Sequence, residues 1–200
     1  MPSPVGHSLI GLAIGCAWLL KPAPLRALAR EAWARRWPLL GAMAVANAPD
    51  LDYLPGLVTG DLNAYHHAYT HTIGWTALVT AALWLAWRST GRRAGWSLFI
   101  LLFALGCSHL AADWMTDDGR APYGIMAWWP ISDERMISPS PVFMRLHKRA
   151  WSEFLQWHNV EAVAVEIAIC LPLVALALAC KLRSAGRLDR AAAGGHEPVA

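Results

Sequence analysis

His109 and Asp113 stand four residues apart in a strongly apolar stretch. On a helix that spacing presents an imidazole and a carboxylate on one face, about one turn apart. His158 and Glu161, three residues apart, would do the same. Asp50-Leu51-Asp52 can direct two carboxylates from an extended or turn segment that Pro49 and Pro55 stiffen. Imidazole with carboxylate suits a divalent metal, zinc first, with manganese or iron as alternatives. More than four such ligands point to two ions, or three, the arrangement that activates water and steadies both oxygens of a displacement. On residue type and spacing alone, Asp50, Asp52, His71, His109 and Asp113 are the strongest candidates. Asp50 or Asp52 would bridge ions or take a proton, and Asp113 completes the expected catalytic set.

Such residues need helices to hold them, and the sequence supplies helices of membrane type. Of 200 residues 56% are hydrophobic and only 16% charged, against roughly 25% charged in ordinary soluble domains. The mean hydropathy is +0.33. Four cysteines (Cys16, Cys107, Cys170, Cys180) scattered singly through apolar segments exclude a disulfide scaffold. Twelve tryptophans and long apolar runs exclude a disordered chain. A net charge of +3 is too small for a nucleic-acid binder. Apolar runs at 5–20, 73–87, 96–114 and 160–180 read as membrane-spanning helices. A shorter run at 38–48 falls short of the ~20 residues that cross a ~30 Å core, and would cross only with its polar end in a protein-lined cavity. The expected fold is therefore an all-α polytopic bundle of four to five transmembrane helices. It forms one domain over 1–182, followed by a disordered cytoplasmic tail over 183–200. The first helix lacks the basic region of a cleaved signal and reads as retained.

Charge placement orients that bundle. Segments 21–37 and 88–95 and the stretch after Cys180 hold 12 of the 17 Lys and Arg, 1–7 and 49–72 hold none, and 115–157 holds the remaining five. Basic loops stay in the cytoplasm, so five crossings place the N-terminus outside and the C-terminus inside. Seven of the eight histidines then fall on the outer side, which puts a metal site at one membrane face. Segment 140–159, with Phe143, Leu146, Trp151, Phe154 and Trp157 among basic residues, reads as an interfacial amphipathic helix or as a cover over the bundle. On one continuous helix His147 would lie about 16 Å from His158, too far to share an ion. Plainer roles suit other residues: His67 and His147 at the interface, Asp61, Asp117, Asp118, Asp133 and Glu134 as solvated charges, and His196 inert in the tail. Glu166, an acid inside a span, has a functional role or a pairing one.

The ordered set Pro49-Asp50-Leu51-Asp52, His66-His67-Ala68-Tyr69-Thr70-His71-Thr72 and His109-Leu110-Ala111-Ala112-Asp113-Trp114-Met115-Thr116 follows an early His7. Over residues 5–135 it resembles the YdjM-like membrane-bound metal-dependent hydrolases of bacteria. That family shows an early His, Pro-Asp-(Ile/Leu)-Asp, His-Arg-Gly-x-Thr-His-Ser and His-x-x-x-Asp-x-x-Thr, with a Gly soon after, matched here by Gly119. Two positions depart: the Arg-Gly pair is His67-Ala68, which removes a basic group suited to an anionic substrate, and the final Ser is Thr72, which keeps the hydroxyl. The resemblance implies metal ligands at His7, Asp50, Asp52, His66, His71, His109 and Asp113, with Thr116 supporting them. The spacing argument adds Glu161 as a ligand and His158 as a supporting residue. The order of ligand types is also similar to that of the all-helical zinc-dependent phospholipases C, an analogy at the level of fold.

The implied function is hydrolysis of a phosphodiester or other ester of a lipid or amphiphile. Metal-activated water would attack at the outer face of the bacterial inner membrane, with Arg120, Arg145, Lys148 or Arg149 holding an anionic headgroup. The lipid bilayer is the expected partner and the oligomeric state is open. Two rivals use the same residues: a metal transporter, whose site usually lies near the bilayer midplane, and a metal-stabilised interaction protein with a closed site.

Overall fold

In the computed structural model of the chain, the described residues are 1–194 apart from 61–65, 67, 92–94, 120, 122 and 149–150; residues 57, 151, 189 and 191–194 are described for their backbone alone. Helices α1 (Pro4–Leu19), α2 (Leu25–Ala34), α3 (Arg36–Ala46), α4 (Tyr53–Thr59), α5 (Ile73–Ser89), α6 (Trp96–Trp114) and α7 (Trp157–Gly194) make up the fold. Among the described residues there is no strand, only the isolated bridges Thr116–Phe143 and Ile125–Met136. Local chemistry starts the helices where the sequence places them. Pro4 begins α1 behind a Ser3 cap whose hydroxyl oxygen accepts the Val5 amide. Thr72 caps α5 by accepting the Trp75 amide, a role for the hydroxyl that this position keeps.

The expected apolar runs coincide with α1, α5 and α6, the run at 160–180 lies inside α7, and most of 38–48 lies in α3. Among the described residues, α6 and the Trp157–Leu188 part of α7 are the helices long and apolar enough to cross a membrane by length and composition; α1 is apolar but shorter.

Two expectations are corrected. Segment 140–159 is not one helix. The chain there pairs instead with the residues after α6: the Val142 and Phe143 amides donate to the Met115 carbonyl and the Asp117 amide to the Phe143 carbonyl. A 3-10 turn follows at Trp151–Glu153 before α7 opens at Trp157. The tail expected to be disordered from residue 183 is helical as far as Gly194, because Arg183, Arg187, Arg190 and the run of alanines after them are good helix formers. Residues 195–200, His196 among them, lie outside the described residues.

Helix α1 packs between α3 and α7, and α6 packs against α3 and α5. Small residues set the closest approach. A Cβ on Gly11 would come within 2.8 Å of the Ala46 Cβ and 3.0 Å of the Ala42 carbonyl oxygen, so α1 and α3 touch nearly backbone to backbone, as membrane helices do. The polarity of the interior is inverted relative to a soluble domain. His7, His71, His109, Asp113 and Glu166 are buried, while Trp18, Trp37, Leu78, Leu171 and Leu176 lie on the surface. An apolar exterior wrapped around buried charge is what a lipid-facing bundle requires.

Candidate metal centre

Four helices have an end at one place. α1 and α5 begin there; α3 and α6 finish there. His7 sits in the first turns of α1, Asp50 and Asp52 in the 3-10 turn Ala48–Asp52 after α3, His71 in the 3-10 turn just before α5, and His109 and Asp113 in the last turns of α6. The partly negative carbonyl ends of α3 and α6 are offset by the partly positive amide ends of α1 and α5, so it is the three carboxylates that attract cations. His66, just upstream of His71, joins them.

The contacts are close and mutually consistent. His71 Nε2 lies 3.2 Å from His109 Nε2 and 3.3 Å from Asp113 Oδ2, and His109 Nε2 lies 3.2 Å from the same oxygen. Asp50 Oδ1 lies 3.6 Å from each of those ring nitrogens. His7 stacks on His109 with centroids 3.8 Å apart and sets its Nε2 3.4 Å from Asp113 Oδ1. On the other flank, His66 Nδ1 is 2.9 Å from Asp52 Oδ1, and the Thr70 hydroxyl donates to Asp52 Oδ2 at 2.7 Å. His71 Nδ1 faces the Thr70 oxygen at 3.0 Å and Asp52 Oδ2 at 3.2 Å.

These atoms fit a divalent cation. Ligands about 2.0–2.1 Å from a tetrahedral ion lie roughly 3.3 Å from one another, close to the edges of the His71–His109–Asp113 triangle. His109 donates its Nδ1 hydrogen to the Ala46 carbonyl at 2.8 Å. That fixes the tautomer and leaves the Nε2 lone pair facing inward, as outer hydrogen bonds do for ligating histidines. Among the described residues, neither ring nitrogen of His7 and neither oxygen of Asp50 makes a hydrogen bond, although all four atoms are buried, a costly condition unless something else satisfies them. Three overlapping groups can each hold an ion: Asp50, Asp52, His66 and His71; His7, Asp50 and His109; His71, His109 and Asp113.

The electrostatics agree. Burial opposes charge on His71, yet Asp50, Asp52 and Asp113 outweigh it and push that imidazole up to about 9, so an ion bound there would displace a proton that now answers the carboxylates. Burial would raise the Asp50 carboxyl, but His71 and His109 hold it below the usual carboxylate range. Burial and the neighbouring His71 push His66 well below its ordinary value, so it is neutral and able to ligate.

The seven residues implied by the resemblance are therefore brought together. The others fall elsewhere. Glu161 is on the exposed side of α7 and belongs to none of the three groups. His158 donates from Nε2 to the Arg145 carbonyl at 2.8 Å and stacks on His147 with centroids 4.1 Å apart. The expected 16 Å separation of those two rings fails because the segment between them turns back. Thr116 donates its hydroxyl to the Ala112 carbonyl at 2.8 Å, closing the last turn of α6 behind Asp113 and not touching a ligand side chain. Arg120, Arg149, His67 and Asp61 lie outside the described residues. Arg145 is half exposed, 3.6 Å from Asp117, and lies over Gly119, where a Cβ would collide with its guanidinium. Glu166 takes the pairing role: its carboxylate accepts from the Ser3 amide at 2.7 Å, the Gly6 amide at 3.1 Å and the Ser3 hydroxyl, anchoring the start of α1 and hence His7.

Sequence reasoning passed over Thr70, Tyr53 and the place of Met1. Thr70 stood inside the quoted motif, and its position beside His71 was the available signal. Tyr53 follows Asp52, and its ring stacks on His66 at 4.0 Å. Its hydroxyl donates to the Met1 sulfur, which also touches His66 Nε2; nothing local in the sequence announces that contact. An apolar cavity of about 220 Å³ is lined by Ile73, Cys107, Leu110, Ala111, Trp114 and Trp128 among others, on a face of α6 turned away from His109 and Asp113.

Fold and centre together define an all-α protein of membrane type with a buried His/Asp cluster that could bind a divalent metal. The profile of the family described as YdjM inner membrane protein matches residues 1–185, and the chain belongs to that family. Neither the curated proteins nor the solved structures give a match.

Proposed function

We propose that the protein is an inner-membrane metal-dependent hydrolase that cleaves a phosphodiester or other ester of an amphiphilic substrate at the outer membrane face. The observation that carries this reading is the triangle of His71, His109 and Asp113, whose inward-facing atoms already stand at ligand spacing with Asp50 beside them. Two ions, zinc being the species these donors suit best, would supply Lewis acidity that activates water and stabilises the charge of the displacement. His71, His109 and Asp113 would hold one, with Asp52 and His66 on the side of the other. Asp50, whose Oδ1 lies 3.6 Å from both His71 Nε2 and His109 Nε2 and which also groups with Asp52 and His66, would bridge the two ions. Thr70 and His66 hold the Asp52 carboxylate in place.

The membrane setting of the reading is a bundle of five crossings by α1, α3, α5, α6 and α7, with the N-terminus outside. The basic loops at the opposite end of the helices from the centre support it. Transport is less well supported, because the ligands gather at helix ends and not at the middle of broken helices.

The test is elemental analysis of the detergent-purified protein beside the double variant His109→Ala, Asp113→Ala. About two metal equivalents in the wild type and fewer in the variant are expected. No metal in either, even after reconstitution, would overturn the reading. Given a phosphodiester or ester substrate found by screening, Asp113→Ala should abolish turnover while the protein remains inserted.

A further inference from the structure

One basic side chain is drawn to the rim of the acidic cluster by a built segment. The His147 amide donates to Asn159 Oδ1 at 2.7 Å, and Asn159 Nδ2 donates back to the His147 carbonyl at 2.6 Å and to the Glu153 carbonyl at 2.9 Å. The stacked rings of His147 and His158, with the hydrogen bond from His158 to the Arg145 carbonyl, pin the same stretch from its other side. Lys148 is thereby fixed at its root. Its ammonium donates to the Tyr53 hydroxyl and lies 4.7 Å from the centre of that ring, and the ring stacks on His66.

Among the described residues no carboxylate lies within ion-pair distance of Lys148, although Asp50, Asp52, Asp113 and Asp118 all act on its charge from further away. Burial pushes its ammonium down to about 8 against the pull of those acids. A lysine withdrawn from water without a paired carboxylate contributes little to stability; held by an aromatic face and a phenol oxygen, it keeps donors free for an incoming anion. The charge of a loaded centre points the same way. Two divalent ions outweigh three carboxylates by one charge and Lys148 adds another, so the site as a whole would recruit an anion.

We propose that Lys148, presented by Tyr53, receives a phosphate oxyanion of the substrate at the metal centre. The inference rests on the metal-centre reading and assigns the substrate class: a phosphate ester, the phosphate belonging either to a soluble molecule or to a lipid headgroup.

The experiment is calorimetric titration of the metal-reconstituted full chain with orthophosphate and, in parallel, with dioctanoyl phosphatidic acid in detergent micelles, with metal content measured on every sample. Lys148→Met should weaken phosphate binding about tenfold or more, the scale of one lost charged hydrogen bond. Lys148→Arg should largely restore it, and Arg88→Met, which alters a residue in the last turn of α5, at the end away from the centre, should leave it nearly unchanged. Tighter binding of the lipid than of orthophosphate would uphold the proposal with a membrane source; equal binding would uphold it with a soluble one. Unchanged phosphate affinity in Lys148→Met at full metal content would overturn the proposal and leave the metal-centre reading standing. Loss of metal from Lys148→Met would also overturn it, since the lysine would then serve the centre's integrity. A wild type without metal would overturn both.

Discussion

At the scale of single residues, the centre is held by groups that never need to meet an ion. His109 is oriented through the Ala46 carbonyl, and Asp52 through the Thr70 hydroxyl. Such outer contacts set ligand direction, and losing one typically costs about 10–100-fold in metal affinity. Thr70→Val, nearly the same shape without the donor, should therefore weaken metal binding by about tenfold or more with little loss of thermal stability. A chelator competition on the purified variant measures it, and an unchanged affinity would show that His66 alone suffices to orient Asp52. Asp50, Asp52, His71, His109 and Asp113 were legible as candidates because each lies in a short motif whose spacing local structure preserves, whereas His7, alone near a helix start, entered only through the resemblance. Thr70 shared such a motif and was passed over because a hydroxyl is a weaker signal of metal chemistry than an imidazole. Lys148 and Tyr53, 95 positions apart in the chain, meet only through long-range folding, and no local pattern carries that.

At the scale of elements, the centre depends on how closely α1 and α3 approach, because His7 rides on one and the turn bearing Asp50 and Asp52 follows the other. Gly11 makes that approach possible. Gly11→Ala would place a Cβ against Ala46 and the Ala42 backbone, and overpacking of this kind costs about 1–3 kcal/mol. Gly41→Ala is the matched control: it lies inside α3 with nothing within 4 Å of its Cβ position, where alanine gains roughly 0.5–1 kcal/mol over glycine in a helix. Thermal unfolding in detergent should show the first variant less stable than wild type and the second no worse. A neutral Gly11→Ala would mean that the two helices slide apart at little cost. The apolar runs revealed where the helices lie, since their periodicity and composition are local properties. The stretch after residue 140 misled because aromatic and basic residues there imitate an amphipathic helix, while backbone pairing with the residues at the end of α6 decides otherwise. The continuation of α7 past residue 183 was missed for the opposite reason: charge and glycine suggested a loose tail, whereas the arginines and alanines have strong helix propensity.

At the scale of the molecule, the decisive unknown is whether α3 crosses. Its 11 residues span only about 16 Å at 1.5 Å per residue, against a core of ~30 Å. Yet its C-terminal end meets the buried centre and not lipid, and irregular backbone at membrane depth is tolerated where protein covers it. Three surface positions separate the alternatives: Trp33 on α2, 71% exposed, Val58 on α4, 88% exposed, and Ile131 after α6, 89% exposed. Each is replaced by cysteine in a chain freed of its four native cysteines, then labelled on intact cells with a maleimide that cannot pass the membrane. If all five helices cross, Val58→Cys and Ile131→Cys are labelled from outside, and Trp33→Cys only after permeabilisation. If α3 turns back while α5 and α6 cross, all three positions share one side. If α6 alone crosses in this stretch, Trp33→Cys and Val58→Cys share a side and Ile131→Cys differs. The first pattern is expected, because the basic residues around α2 favour the cytoplasm while 49–72 carries none. It alone leaves the turn after α3 and the loop after α6 on one side of the membrane with α2 on the other, the arrangement that opens a centre built from four helix ends to the outer face.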